Sequence, residues 1–340
     1  MAEREKTKKN TIYDISSKAG VSIATVSRVL NGSDKVSVQT KERVLQVIDE
    51  CGYEPNAFAR GLGTGSMKTI GILCADVADI YLANAVSFLE RELRQNGFDT
   101  ILNCTGHQLE QKRACMRAME ARRVDAVILV GSHYIENTVR KNQYIIDASE
   151  RIPVMMVNGF LQSSNIYCNL SDDYTAFRDS TEKLVCRGRG RILFLYREET
   201  SSMQAKLAGY RDALKKHNIH LRQELIFQSD GKMEQIKNNL RKLWEAEAGF
   251  DAVLATDDEL ALAAIKFAQC SNLRIPADLS VIGCNNSVLS LCCRPELSSV
   301  DNKCEMLCVN TVATLMRVLD GKEAAHKTVV STDLIERGTI

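Results

Sequence analysis

From Thr69 onward, eight short apolar runs alternate with amphipathic stretches of helical period, and this alternation restricts the fold more than any other feature of the chain. The runs are TIGILCA, FDTILNC, DAVILVG, IPVMMVN, RILFLYR, ELIFQS, DAVLATD and LSVIGC. Rich in Val, Ile and Leu, they predict strands buried on both faces. Helices are predicted between them at roughly 84–95, 109–122, 138–149, 174–187, 202–217, 233–247 and 259–269. Repeated strand–helix units imply parallel sheets with helices on both faces. So many units suit two similar lobes. NIYCNL near 165–170 and LSSVDN near 297–302 read as crossings between lobes; a helix at 303–320 and a strand at 328–335 close the chain. A (β/α)8 barrel also alternates, but the crossings and the extra helix and strand stand against it. Either fold sets ligand loops at the carboxyl ends of its strands.

The segment before Thr69 has a different character. Residues 11–31, TIYDISSKAGVSIATVSRVLN, read as two short helices with a tight turn. Thr11 caps the first, roughly 12–19, and Gly20 ends it, where a left-handed backbone costs least without a Cβ. Ser22 caps the second, roughly 23–31. Ile12, Ile15, Ala19, Val21, Val26, Val29 and Leu30 fall on one shared apolar side, and Ser, Thr, Lys and Arg on the other. That is the layout of a helix-turn-helix, which lays its second helix in a DNA major groove. An ordinary helical hairpin in a small core has the same pattern. A third helix follows at 36–53, with Val38, Val44, Leu45, Val47 and Ile48 as its buried stripe and Gly52 at its end. Three helices make a head of about 50 residues, marginal on its own. In EPNAFARGLGTGSMK, Pro55 and Asn56 stop the third helix, 57–62 allows a turn or two of helix, and Gly61, Gly63, Gly65 and Ser66 form a flexible joint. GLGTGS is not a phosphate loop, because it follows no strand and lacks the Gly-Lys-Ser/Thr ending.

Length and composition set outer limits. A chain of 340 residues accommodates two or three domains, and 45% hydrophobic with 26% charged residues is ordinary for a soluble globular protein. No run of 18 or more apolar residues predicts a membrane span, and the charged start MAEREKTKKN does not read as a secretory signal. A cytoplasmic protein is expected. Net charge is +1, and over residues 1–62 ten Lys and Arg face eight Asp and Glu, so charge alone does not argue for nucleic acid. The twelve cysteines are scattered, several in apolar runs (Cys74, Cys186, Cys284), as expected of reduced, buried thiols. Cys304 and Cys308, near Cys292–Cys293, have the only metal-like spacing. They lack paired CxxC elements or nearby histidines, so neither metal nor cofactor is expected.

Taken together, TIYDISSKAGVSIATVSRVLNG, VSVQTKERVLQVIDECGYEPNAFARGL and KTIGIL resemble, in order and spacing, the head, hinge and first core strand of the lactose repressor/galactose repressor (LacI/GalR) family of bacterial transcription regulators. FLERELRQNGFD, VDAVILVG, DDYTA, LAGYRDAL, ATDDELALAA, IPADLSVIGCNN and RPELSSVDN extend the resemblance over nearly the whole chain. It implies a head at 1–55, a hinge helix and linker at 56–67, and a two-lobed, periplasmic-binding-protein-like α/β core at 68–340. The first lobe is expected at about 69–165 plus 300–325, and the second at about 166–299 plus 326–340. The family further implies a homodimer whose core binds a small-molecule effector and thereby controls binding to a double-stranded DNA operator.

By this resemblance the recognition helix begins at Ser22, with Ile23 and Ala24 facing base edges and Arg28 one turn on. Arg28 can contact guanine O6 and N7 bidentately, while Ile23 and Ala24 can pack on a thymine methyl. Ser22, Thr25, Ser27, Asn31, Ser37 and Thr40 are placed for phosphate contacts, which position without specifying sequence. Thr11 is also assigned to the DNA-facing set. Asn56, Ala59 and Leu62 resemble the hinge helix, with Leu62 at the position that wedges into the minor groove and kinks the duplex. Too short to be stable alone, such a hinge would fold with DNA and with its partner hinge.

Three effector positions carry over, with departures. Lys206 in KLAGY stands where an arginine is usual, Asp257–Asp258 where an asparagine–aspartate pair is usual, and Asn285 in IGCNN where an aspartate is usual. Arg and Asp suit sugar hydroxyls by bidentate hydrogen bonds. Lys lacks that fork, and Asn brings a donor as well as an acceptor. Asp76, Asp79 and Tyr81 lie after the first core strand, where Tyr81 can stack on a ring. A sugar or derivative is the leading expected effector. A nucleobase, an amino compound or a cation against Asp257, Asp258 and Asp76 are alternatives, and a regulatory protein could serve instead of a small molecule.

The competing reading is a ligand-binding or enzymatic α/β protein with an incidental head. An enzyme needs a nucleophile–base pair, metal ligands or a phosphate cradle, and the chain has no GxSxG, HExxH or P-loop. No enzymatic activity is expected. A two-fold operator asks for a two-fold dimer, and the ending LIERGTI has no heptad extension for a tetramer.

Overall fold

The computed structural model describes residues 10–30, 33–53, 66–229, 231–246 and 249–340. The chain forms two compact units, residues 1–69 with 123–125, and residues 70–122 with 126–340.

In the first unit, helices α1 (Ile12–Ala19), α2 (Ile23–Leu30) and α3 (Val38–Glu50) enclose one small core. The Asp14 carboxylate reaches back to accept from both the backbone N–H and the hydroxyl of Thr11, at 2.7 Å each, tying down the first turn of α1. Gly20 takes φ +63° and turns the chain into α2. Ser22 and Ser37 cap α2 and α3 by accepting from the N–H of Thr25 and Thr40. Ile15, Ala19, Val26, Val29 and Val44 are buried together, with Ile12, Val21, Leu30, Val47 and Ile48 packed around them. The expected stripe of α3 needs correction. Val38 is 72% exposed and Leu45 46% exposed; Val38 opens the helix beyond the reach of α1 and α2, and Leu45 lies one residue past the buried face.

The second unit is built on two open six-stranded sheets rather than a closed barrel. The first contains β1 (Thr69–Cys74), β2 (Asp99–Cys104), β3 (Ala126–Val130), β4 (Val154–Val157), β5 (Ile166–Ser171) and, from much later in the chain, β11 (Lys327–Val330). Its spatial order is β11-β5-β4-β3-β1-β2. The second contains β6 (Ile192–Tyr196), β7 (Ile226–Gln228), β8 (Ala252–Ala255), β9 (Ser280–Cys284), β10 (Ser298–Asp301) and β12 (Asp333–Ile335), in the order β12-β10-β9-β8-β6-β7. Central pairs are parallel and in register, as in Ile72 opposite Ile128 and Phe194 opposite Leu254. β12 runs antiparallel to β10.

Helices α4 (Ile80–Gln95), α5 (Leu109–Ala121), α6 (Val139–Ser149) and α11 (Cys304–Leu319) belong to the first sheet. Helices α7 (Asp173–Cys186), α8 (Ser201–Lys216), α9 (Met233–Ala246) and α10 (Asp258–Cys270) belong to the second. Leu89 and Leu93 of α4 and Leu307, Val312 and Leu315 of α11 pack on one face of the first sheet. The second sheet is covered on one face by α9 and α10 and on the other by α7 and α8.

These pairings correct the expected lobe boundaries. β5, expected in the second lobe, hydrogen-bonds β4 and β11 in the first sheet. The expected single strand at 328–335 is two strands: β11 completes the first sheet, and after Ser331 and Thr332 the chain passes to the second as β12. The crossing text NIYCNL and LSSVDN therefore forms strands. Helix α4 begins at Ile80, four residues before its expected start, because Asp79 caps it by accepting from the Leu82 N–H. All twelve thiols are free, and Cys186, expected in an apolar interior, is exposed at the end of α7.

Candidate DNA-reading face and interlobe cleft

Helix α2 is held by its inner face. Val26 and Val29 are buried, so the positions between them must turn away from the core. Ser22, Ile23, Ala24 and Arg28 are exposed, while Thr25 and Ser27 are half-buried. Ile23 is 40% exposed, an apolar side chain that the head's own packing does not use. Ser22 and Thr25 share a hydroxyl hydrogen bond of 2.9 Å, and Ser37 and Thr40 one of 2.8 Å, so each pair presents oxygen atoms beside a helix start. Thr11 is exposed at the start of α1. Asn31, Asn56, Ala59 and Leu62, and with them the expected hinge helix, lie outside the described residues. Tyr13, passed over in the sequence, is 69% exposed on α1; its place off the Ile12–Ile15–Ala19 stripe was the available signal.

In the core, both sheets have the same doubly wound order, reversing between β1 and β3 and between β6 and β8. Loops leaving the carboxyl ends of the strands on either side of such a reversal open a crevice. Here the two crevices face each other and form one cleft of about 410 Å³. From the first lobe come Asp76, Asp79 and Tyr81 after β1, His107 after β2, Ser132 and His133 after β3, and Asn158 after β4. From the second come Arg197 and Glu198 after β6, Lys206 on α8, Thr256 and Asp257 after β8, Asn285 after β9, and Asn302 after β10, with Asp173 at the start of α7.

The cleft is polar and strongly coupled. Lys206 is 8% exposed; its ammonium donates to the Thr256 carbonyl at 3.3 Å, lies 3.8 Å from Asp173, and sits over the Phe177 ring. Burial opposes its charge, yet Cys284, Asp173 and Asp257 hold its pKa above the ordinary lysine value. Burial also raises the carboxyls of Asp173 and Asp257, against the pull of Lys206 and Arg197 respectively. Arg197 reaches Glu259 at 3.0 Å and Asp257 at 3.6 Å. His133 is pushed down to about 3 by burial and the nearby Lys112 ammonium, so it is neutral at physiological pH. Tyr81 accepts from the Asn158 amide at 2.6 Å. The Asn302 amide donates to the Asn285 carbonyl oxygen at 2.8 Å. Across the mouth, His107 of the first lobe lies 3.3 Å from Glu198 of the second.

Thus Asp76, Asp79, Tyr81, Lys206, Asp257 and Asn285 come together in one cleft. Asp258 does not, which corrects its expected place beside the effector. It is 2% exposed and faces inward, accepting from the Ser299 hydroxyl at 2.5 Å and from the N–H and hydroxyl of Ser287 at 2.6 and 2.8 Å. Sequence reading missed Arg197, His107, Glu198, Asp173, Asn158 and Asn302. All sit at strand ends or the helix start after one, which was the available signal. A larger hollow of about 590 Å³ between α4, α11 and the loop after β9 is walled by Phe88, Val288, Met306 and Val309, with three charged residues, Asp301, Lys303 and Glu305, against the eight of the cleft.

Comparison with known proteins places both parts. Residues 11–56 match the model for bacterial regulatory proteins of the lacI family, and residues 181–340 match the periplasmic binding protein-like domain. An HTH-type transcriptional regulator of Lachnoclostridium phytofermentans is 48% identical over 96% of this chain and 98% of its own. The regulator AscG of Escherichia coli is 30% identical over 97% and 98%. A lac repressor dimer bound to operator and the anti-inducer ONPF has the same fold, with a TM-score of 0.86 at 23% identity, covering 98% of this chain and 99% of that one. With its head matched by the family model and near-full-length relatives at these identities, the chain belongs to the lacI family of bacterial regulatory proteins.

Proposed function

We propose that this protein is a sequence-specific DNA-binding transcription regulator, a repressor that binds a pseudo-palindromic operator as a homodimer under the control of a small-molecule effector held in the interlobe cleft. The observation that carries this reading is the outward row Ser22, Ile23, Ala24 and Arg28 on a helix whose inner face is fully used by the head's core. A helix so held is free to enter a major groove with its N-terminal residues against base edges. The curated relatives are transcriptional regulators, and the lac repressor of the same fold was solved on its operator. We assign the protein no enzymatic activity, in keeping with relatives that are transcriptional regulators. No described helix is long and apolar enough to cross a membrane; a cytoplasmic location fits a partner that is chromosomal DNA.

The test is selection of bound DNA from a random pool by the full chain, followed by gel shifts over a range of salt. The expected result is a two-fold-related site whose retention falls steeply as salt rises. Retention of all sequences alike would overturn the reading. Arg28 supplies a finer check. With Ile23 and Ala24 unable to hydrogen-bond a base, Arg28→Ala should lower the preference for guanine at its contact position by about 1–3 kcal/mol per half-site. Unchanged base preference in competition gel shifts would remove Arg28 from the reading surface.

A further inference from the structure

We propose that the effector of this regulator is a small hydroxylated amine, of amino-sugar size, recognised as a cation by the first-lobe rim of the cleft. The proposal rests on the reading of the cleft as the effector site and concerns which chemistry that site takes.

The balance of charge points this way. Six carboxylates line the cleft, from Asp76, Asp79, Asp173, Glu198, Asp257 and Glu259, against two permanent cations, Arg197 and Lys206. Both cations are already engaged by acids of their own lobe. Lys206 lies against Asp173 at 3.8 Å, and Arg197 lies between Glu259 and Asp257. Shared among three acids, they offset only part of the second-lobe charge and leave little positive charge for an incoming anion. Glu198 has His107 at 3.3 Å. Asp76 and Asp79 remain. One oxygen of each accepts a backbone N–H, from Ala78 and from Leu82, both at 2.9 Å. Among the described residues no cation pairs with either. Both residues line the cleft and give its first-lobe rim a negative edge.

A separate observation at the floor also asks for a donor. Asn302 is 4% exposed and lines the cleft, its amide nitrogen is taken by Asn285, and its buried carbonyl oxygen has no hydrogen-bond partner. A buried acceptor left unmade is costly, and the atom facing it must carry O–H or N–H. A phosphorylated or carboxylated sugar would set its charge against Asp76 and Asp79. A neutral sugar satisfies Asn302 and leaves the acidic edge unmatched. A hydroxylated amine satisfies both, and about 410 Å³ holds a molecule of one or two sugar rings.

The experiment is calorimetric titration of the full chain at neutral pH with matched sets on one skeleton: glucosamine, galactosamine and mannosamine, their N-acetyl forms, the parent sugars, and the parent sugars' 6-phosphates. The expected result is binding by at least one amine, with its neutral and anionic counterparts at least about tenfold weaker. Asp79→Asn keeps an oxygen for the cap of α4 and removes the charge, so it should weaken the amine by about tenfold while narrowing the gap between amine and parent sugar. Asp76→Asn should act in the same direction. A neutral or anionic member that binds more tightly than its amine overturns the proposal. So does silence of every amine at saturating concentration, or amine binding equal to wild type in both Asn variants. Operator retention by the same preparations is measured alongside: retained specific binding confines such a failure to the ligand class, whereas loss of it strikes the regulator reading itself.

Discussion

Ile15→Ala should unfold the head and leave the core standing. Ile15 is fully buried at the centre of the first unit, among Ala19, Val26, Val29 and Val44. Truncating such a side chain costs about 2–5 kcal/mol, because the lost transfer energy adds to a cavity that neighbours fill only in part. A head of about 50 residues with this one cluster has about 2.5–7.5 kcal/mol to lose, so the change consumes most of its stability. A variant with its head mostly unfolded must fold it again on DNA, and specific affinity drops by the same factor. We expect at least a tenfold loss of operator retention at 37 °C and loss of the low-temperature step in a thermal melt, with the main transition of the core in place. Leu45→Ala is the control. It removes an apolar side chain of similar size that is 46% exposed, and its effect on the melt should stay within about 0.5 kcal/mol. An Ile15→Ala protein with a wild-type melt and wild-type retention would show that the head does not depend on this cluster.

The contrast between Ile15 and Leu45 also marks how far the fold was legible from sequence. Periodicity identified the seven apolar residues shared by α1 and α2 because two short helices leave few ways to bury them. It misassigned Val38 and Leu45 because a third helix with apolar residues on more than half its circumference has no unique inner face until its neighbours are placed. In the core, strands buried on both faces are continuous apolar runs, visible without any partner. Which sheet a strand joins is a matter of pairing, and pairing is not a local property. Two segments show the limit. IYCNLS has the text of a connector and is an interior strand of the first sheet. KTVVSTDLI has the text of one strand and divides between two sheets.

The cleft was legible in the same partial way. Asp76, Asp79, Tyr81, Lys206, Asp257 and Asn285 were named from motif positions, and they line one cavity. Arg197, His107 and Glu198 were not, because nothing in RILFLYREET or NCTGHQ distinguishes a strand-end loop that faces the opposite lobe from one that faces water. Their importance arises only when two sheets are set mouth to mouth.

Asp258→Ala should destabilise the core by about 3 kcal/mol, the other large effect, because it takes the shared acceptor from three donors at once, those of half-buried Ser287 and buried Ser299. Adjacent residues at a helix start point about 100° apart, which sends Asp257 outward as the cap of α10 and turns Asp258 into the interior. There it ties the loop after β9 to β10 through Ser287 and Ser299. Gly283 on β9 leaves the room it needs, since a Cβ at that position would lie 2.5 Å from an Asp258 oxygen. Alanine would leave the backbone N–H of Ser287 and two hydroxyls without their acceptor, and each unmet buried donor costs about 1 kcal/mol or more. Asp258→Asn keeps a carbonyl acceptor in place and should cost about 1 kcal/mol. The pH dependence gives an independent check. Burial raises the Asp258 carboxyl above 3.8, against the serine hydrogen bonds that pull it down. The folded state therefore holds this proton more tightly than the unfolded state, so the group's contribution is greatest below 3.8 and declines as pH rises through its folded value. The Asn variant should lack that decline in denaturant melts taken across mildly acidic pH. If alanine melts like wild type, the carboxylate does not hold the loop after β9, and its inward position has no stabilising role.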